Sequence, residues 1–283
     1  MKRAFVSRAI LHGIILLVAL FWFLPTAGLL ITSFRPAYLT SVSGWWTAFE
    51  HPFELSQFTL KNYREVLEQG SMVRAFVNSL IIAIPSVILV LAVAAPAAYA
   101  LAWTDLPGRK FMYCLVVGLI IVPLQMTFIP VLKLFNALGL SGTFPALWLA
   151  HTGYGLPFAI YLLHNFFASI PKDLIESASI DGASHSTIML KMVIPLSLPA
   201  LASLCIFQFL WVWNDLLVAL IYAGGFRNVA PITLQVANLV GSRGQEWHLL
   251  TAAAFISMSL PLACFLAFQR AFVRGILAGS LKG

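Results

Sequence analysis

Lys172, Asp173, Glu176, Asp181, His185 and Lys191 all fall within one stretch, Pro171 to Pro199 (PKDLIESASIDGASHSTIMLKMVIPLSLP), of a chain that is otherwise mostly apolar. Their types and spacing suit recognition better than catalysis. The chain has no G-x-x-x-x-G-K-[ST] loop for a nucleotide, no H-E-x-x-H pair for zinc and no G-x-S-x-G nucleophile elbow. An enzyme working within a membrane would need paired acids or a Ser/His/Asp set at depth, and Asp215 is the one convincing acid there. The punctuation of the stretch predicts a folded element. Pro171 opens a short helical run carrying Leu174, Ile175 and Ala178, Asp181-Gly182 reads as a turn, Ser184 as an N-cap, and a second run closes at Pro195. Two short helices meeting at an elbow on a membrane surface would suit docking to a partner.

The composition places this elbow in a lipid-embedded chain. Of 283 residues, 60% are hydrophobic and 10% charged, where a soluble domain carries about 25% charged residues. A net charge of +7 raises the question of nucleic acid. The basic residues, however, stand singly at segment ends with no basic stripe interleaved with aromatics, so no nucleic-acid partner is expected. Cys114, Cys205 and Cys264 are far apart and odd in number, which supports neither a disulfide framework nor a metal site and leaves them as packing residues.

A spanning helix requires about 20 apolar residues, and the sequence predicts six spans. Lys2, Arg3 and Arg8 precede the run Ile10 to Ile31, too long for a secretory h-region and read as an uncleaved first span. Residues 32–72 form an extracytoplasmic polar segment, in which Leu60, Tyr63 and Leu67 mark either a short amphipathic surface helix or a solvated loop. The second span begins at Met72 with Asn78 near its mouth, and its Pro85, Pro96 and AVAAPAAYALA sequence predict close packing in a bundle. The third, Phe111 to about Leu132, carries Pro123, Gln125 and Pro130; the fourth, Ala146 to Phe167, carries His151, Tyr154 and His164. The fifth, Leu196 to Tyr222, includes Gln208, Trp213, Asn214 and Asp215. An acid at membrane depth costs at least ~2.5 kcal/mol, so Asp215 either lines a polar path or locks the bundle. A loop apolar enough to be re-entrant or packed on the outer face precedes the sixth span, Leu249 to Phe268.

The basic residues orient these spans. Lys2, Arg3, Arg8, Arg109, Lys110, Lys172, Lys191, Arg270, Arg274 and Lys282 fall on one side when both ends are cytoplasmic, as the positive-inside pattern requires. Arg35, Lys61, Arg64, Arg74, Lys133, Arg227 and Arg243 fall on the other, mostly in the long segment or at helix ends. The elbow is then cytoplasmic. With no nucleotide loop, no visible internal repeat and few intramembrane charges, an ion-coupled carrier is disfavoured. The chain provides a passage and draws its energy from a partner.

Glu176, Ala178, Gly182 and Pro195 resemble the EAA loop of permease subunits of bacterial binding-protein-dependent ABC importers, whose pattern is E-A-A, three residues, G, nine residues, I-x-L-P. Ser177, Met192 and Ile194 stand where the pattern has Ala, Ile and Leu. NYREVL, RAFVNSLIIA, AAYALAWTDLPGRK, IPKDLIESASIDGAS, WVWNDLLVALIY and GILAGSLKG are similar to carbohydrate permeases of the maltose type, and FQFLWVWNDLLVAL resembles the α-glucoside branch.

The resemblance implies an all-α, six-helix protein of the bacterial inner membrane, with a cytoplasmic N-terminus and first span in residues 1–31, an extracytoplasmic segment in 32–72 and a core permease domain in 73–283. It implies a heterodimer with a second related permease, two cytoplasmic ATPase subunits that use ATP and Mg²⁺, an extracytoplasmic binding protein, and a sugar or glycoside as cargo. This chain itself would be no enzyme and would bind no cofactor or metal. Permeases for polyamines, amino acids or phosphate share the plan, and a non-transporting membrane scaffold or sensor is a more distant alternative. In the coupling loop, about 171–195, Leu174, Ile175, Glu176, Ala178, Ile180, Asp181, Gly182 and Ala183 would meet the ATPase, joined by Gly279, Ser280 and Lys282 of the tail. Asn78, Gln125, Tyr154, Gln208, Trp213, Asn214 and Asp215 remain candidates for the pathway or for a bundle lock.

Overall fold

Prolines and glycines decide where this apolar chain bends. The computed structural model describes residues 2–50, 52–68, 71–242 and 246–280. Its α-helices in chain order are α1 (Lys2–Phe34), α2 (Ala37–Val42), α3 (Lys61–Glu68), α4 (Met72–Trp103), α5 (Arg109–Ile121), α6 (Phe128–Ala137), α7 (Phe144–Phe167), α8 (Lys172–Ile180), α9 (His185–Ile188), α10 (Ile194–Leu196), α11 (Leu198–Asn214), α12 (Leu217–Tyr222), α13 (Ile232–Ser242) and α14 (Trp247–Ser280). No strand occurs among the described residues. Residues Ile10–Phe34 of α1, the whole of α4 and α7, and Trp247–Gln269 of α14 are each long and apolar enough to cross a membrane. Two further stretches qualify only as bent pairs: α5 with residues 124–137, bent by 96°, and residues 185–196 with α11, bent by 76°.

The expected unbroken third span is therefore two helices. Pro123 has no N–H to continue the ladder and pushes the residue before it out of helical geometry; Val122 accordingly takes φ −70° and ψ 120°. A 3₁₀ turn, Leu124–Thr127, then redirects the chain into α6. The fifth span also departs from the expected Leu196 to Tyr222. Its helix begins after a break at Ser197 and stops at Asn214, where Asp215 is extended, and α12 follows as a separate piece. By contrast Pro25, Pro85, Pro96, Pro157 and Pro261 sit inside continuous helices, which membrane helices tolerate more readily than soluble ones. The amphipathic stretch after Leu60 is helical as α3, with Asn62 and Val66 buried.

The chain divides into two compact units: Met1–Val73 with Gln235–Ser259, and Arg74–Leu234 with Leu260–Gly283. In the first, the end of α1 is capped from a distance. Asn62 Nδ2 donates to the carbonyls of Ser33 (2.8 Å) and Arg35 (2.9 Å), and Ser33 Oγ meets the Tyr63 hydroxyl at 2.7 Å. In the second unit, two clusters share α4, α7 and α11. One gathers Ile82, Phe128, Phe135, Leu147, Val212, Val218 and Tyr222. The other gathers Val90, Ala94, Ala98, Tyr99, Ala159, Leu163, Phe167, Ala200 and Leu204. Fully buried alanines at Ala94, Ala98 and Ala159 let the helix axes approach closely, the packing mode of membrane helices. Ile175, Ile188 and Val193 belong to this second cluster, so the elbow grows out of the core.

Candidate functional site

The elbow is built by two caps. At the end of α8, Ala183 N–H donates to Ala178 O (3.0 Å) and Gly182 N–H to Ser179 O (3.1 Å), the paired bonds of a Schellman motif. The motif needs a left-handed residue at Gly182, whose φ is +79°. Ser184 Oγ then accepts from the Thr187 N–H (3.3 Å) and starts α9. A π-helical turn, Met189–Val193, joins α9 to α10 before the bend at Ser197.

The residues expected to form one contact face separate into an inner and an outer set. Ile175 is 6% exposed and sits in the core, while Ala178 and Ala183 are half-buried against it. Leu174 (42% exposed), Ile180 (86%), Glu176, Asp181 and Gly182 point outwards. The division follows from helix geometry, since the apolar residues of α8 lie on more than one face. Glu176 is met within the chain by Lys172 at 2.5 Å, and this hydrogen bond raises the Lys172 pKa above its ordinary value. The pair is exposed and contributes little to stability, so its carboxylate is free to exchange partners at low cost.

Tyr99 ties the elbow to α4. Its hydroxyl lies 3.1 Å from His185 Nδ1, with the two rings edge to face, and Trp103 Nε1 donates to Phe167 O (3.1 Å) at the end of α7. These ties were not expected from the sequence, where Tyr99 is one aromatic in an alanine-rich run. Of the tail, Gly279 and Ser280 close α14, whereas Lys282 lies outside the described residues.

The pathway candidates also separate. A cavity of about 330 Å³ lies where α5 and the 3₁₀ turn meet α7 and α11, lined by Leu119, Ile120, Val122, Leu124, Tyr154, Gly155, Pro157, Phe158, Phe207, Gln208 and Trp211. Gln208 reaches it because Gly155 has no side chain: a Cβ there would stand 2.6 Å from Gln208 Nε2. The Gln208 amide donates to His151 O (3.4 Å). Tyr154 meets the Tyr222 hydroxyl at 2.6 Å and accepts from Thr127 Oγ1 at 2.9 Å, so the bend after Pro123 is tied to α7 and α12.

The other candidates do not line this cavity. Gln125 is exposed on the 3₁₀ turn. Asn78 Nδ2 donates to Asn228 O (2.9 Å) and Ala230 O (3.0 Å), while Ser79 Oγ accepts from Ile232 N–H (2.8 Å), holding the chain that leads into α13. Trp213 is buried against Phe76 and Phe209, and Asn214 bonds Leu210 O (2.8 Å). Asp215 Oδ2 accepts from Val218 N–H (3.0 Å) and Ala219 N–H (3.3 Å), capping α12, while its carbonyl accepts from Thr233 Oγ1 (2.6 Å). The Asp215 carboxylate is thus held by the backbone at the start of α12, and the long-range bond from Thr233 is made to its main-chain carbonyl.

Known proteins extend the likeness over the whole chain. The chain is 57% identical to the osmoprotective compounds uptake permease protein GgtD of Synechocystis sp., over 99% of this chain and 94% of the relative. It is 40% identical to the alpha-glucoside transport system permease protein AglG of Rhizobium meliloti, over 96% of each. A solved bacterial ABC transporter involved in the import of the acidic polysaccharide alginate contains a chain of similar fold, with a TM-score of 0.73 and 20% identity over 94% of this chain and 95% of that one. Residues 70–278, from the start of α4 almost to the end of α14, match the family described as binding-protein-dependent transport system inner membrane component. With most of its length matched by the family and these relatives similar along nearly all of it, the chain belongs to that family of inner-membrane transport components.

Proposed function

We propose that the chain is one of two permease subunits of an ATP-driven, binding-protein-dependent importer of an uncharged sugar or glycoside. The observation that carries this reading is the two-sided elbow. Its outer rim of Leu174, Glu176, Ile180 and Asp181 is free for a cytoplasmic ATPase, while Ile175 and Ile188 join it to the core shared by α4, α7 and α11. A push on the rim is thereby delivered to the helices that line the cavity. In this reading each bent helix pair crosses as one span, giving six spans, both termini are cytoplasmic, and residues 73–283 form the core permease unit. A second related permease completes the pathway, two separate ATPase subunits use ATP and Mg²⁺, and an extracytoplasmic binding protein delivers cargo.

The cavity supports a neutral cargo. Aromatic faces at Tyr154, Phe158, Phe207 and Trp211 with the Gln208 amide, and no carboxylate, amine, guanidinium or imidazole among the lining residues, suit a hydroxylated, uncharged solute. The alpha-glucoside named for one relative is of that class. Reconstitution in proteoliposomes with the partner permease, ATPase and binding protein tests the proposal. Neutral α-glucosides should accumulate only with hydrolysable ATP. Accumulation of a polyamine, amino acid or phosphate instead, or no ATP-dependent uptake at all, would overturn it.

A further inference from the structure

The first unit holds a separate cavity of about 180 Å³ at the C-terminal end of α1, whose lining includes Thr32, Arg35, Thr40, Ser43, Trp45 and Trp247. Arg35 is the anomaly. It is 2% exposed, yet all its acceptors are neutral: Nη1 donates to the Gly44 carbonyl and to Thr47 Oγ1 (2.9 Å), and Nη2 to Ser43 Oγ (3.2 Å). Its Nε has no partner. Among the described residues no carboxylate pairs with it, the ion pairs seen there including Arg64 with Glu68 and Lys172 with Glu176 but none to Arg35. Nor does the negative end of α1 compensate it directly. The carbonyls of Ser33 and Arg35 accept from Asn62 Nδ2, and that of Phe34 accepts from the Thr59 N–H.

A buried charge without a countercharge is expensive, and the guanidinium fork with a spare donor matches a tetrahedral oxyanion. The hydroxyls of Thr32, Thr40 and Ser43 each donate to a backbone carbonyl of their own turn (2.8, 2.9 and 2.9 Å). Such rotors can turn towards a ligand at small cost, because those carbonyls can also accept a backbone N–H. Arg35 also follows directly on the candidate span Ile10–Phe34, so that a crossing by that span would bring it to the headgroup region. We infer that this cavity binds a phosphate-type oxyanion, supplied by an anionic phospholipid headgroup or by free phosphate, with Arg35 as its countercharge.

The test uses the purified importer complex. Thermal unfolding is followed while inorganic phosphate is titrated against sodium chloride of equal ionic strength. In parallel, native mass spectrometry counts the phosphatidylglycerol retained after exchange into phosphatidylglycerol–phosphatidylcholine mixtures. A phosphate-specific rise in melting temperature identifies the soluble anion, and selective retention of phosphatidylglycerol identifies the headgroup. Either supports the site. Arg35→Gln should weaken the response about tenfold, the loss expected for charge-assisted hydrogen bonds. Because that variant also removes the bonds to Gly44, Ser43 and Thr47, Thr40→Leu serves as a second probe: it fills the cavity, leaves those bonds intact and should abolish the response. A wild-type complex with neither response, or a Thr40→Leu complex that responds like wild type, overturns the inference.

Discussion

Replacing Gly182 separates backbone geometry from side-chain bulk. Its φ is +79°, and a Cβ built there would meet nothing within 4 Å. Size is therefore of no consequence within this chain, and the whole penalty lies in the left-handed conformation. An ordinary L-residue pays about 1–2 kcal/mol there, Asn less and a β-branched residue more. That corresponds to about a 5- to 30-fold loss in the population holding the elbow's shape. ATP-dependent uptake, normalised to permease abundance, should fall in the order glycine, asparagine, alanine, valine, and ATPase recovered by co-purification should follow the same order. Abundance itself should hold, since the turn is exposed and Ile175 and Ile188 are untouched. Wild-type uptake for Gly182→Val would refute the reasoning. A result in which asparagine is worse than alanine would refute it differently, showing that a partner's close approach, and not φ, requires the glycine.

The two sides of the elbow should also respond in opposite ways. Ile188→Ala, at 1% exposure, should cost about 2–5 kcal/mol and lower the melting temperature of the complex, whereas Ile180→Ala should leave stability alone and reduce ATPase co-purification. Glu176→Lys places like charges at Lys172 and position 176 and removes the outward acid; recovery of ATPase at full yield would exclude that acid from docking. Asp215→Ala should cost about 1 kcal/mol through the lost cap, seen as reduced thermal stability with uptake per folded complex unchanged. Altered uptake kinetics in Asp215→Asn at normal abundance would instead put the carboxylate on the pathway. Gln208→Met keeps volume but deletes the amide, and should raise the substrate concentration for half-maximal uptake about tenfold; unaltered kinetics would remove Gln208 from the cargo's route.

The elbow was legible because local rules specify it. Pro171, Asp181-Gly182 and Ser184 are caps and turns whose chemistry depends on near neighbours, and the structure uses Gly182 and Ser184 as those rules require. Span lengths were legible for α1, α4, α7 and α14 for the same reason. Breaks within apolar runs were less so. Pro85, Pro123 and Pro157 look alike in sequence, yet a break occurs beside Pro123 alone of the three, because packing around α4 and α7 takes up the disruption. Inward and outward residues of the elbow could not be told apart either, since Ile175 and Ile180 are equally apolar and only tertiary contacts bury the first. Tyr154 and Gln208 reach one cavity through α7 and α11, a juxtaposition with no local signature.

The π-turn at Met189–Val193 gives segment length a meaning of its own. A π-turn is the form a helix takes when it accommodates one residue more than its regular winding needs. Residues 185–196 thus behave as a ruler with one surplus unit. Deleting a single residue between Ile188 and Val193 would let the segment close as ordinary α-helix with Ile188 and the outer rim kept at their present azimuth, whereas a further deletion, with no surplus left to absorb it, would rotate everything on its N-terminal side by about 100°. The nine-residue interval between Gly182 and Met192 in this sense carries slack: one residue can be lost there at an unchanged heading, and a second cannot.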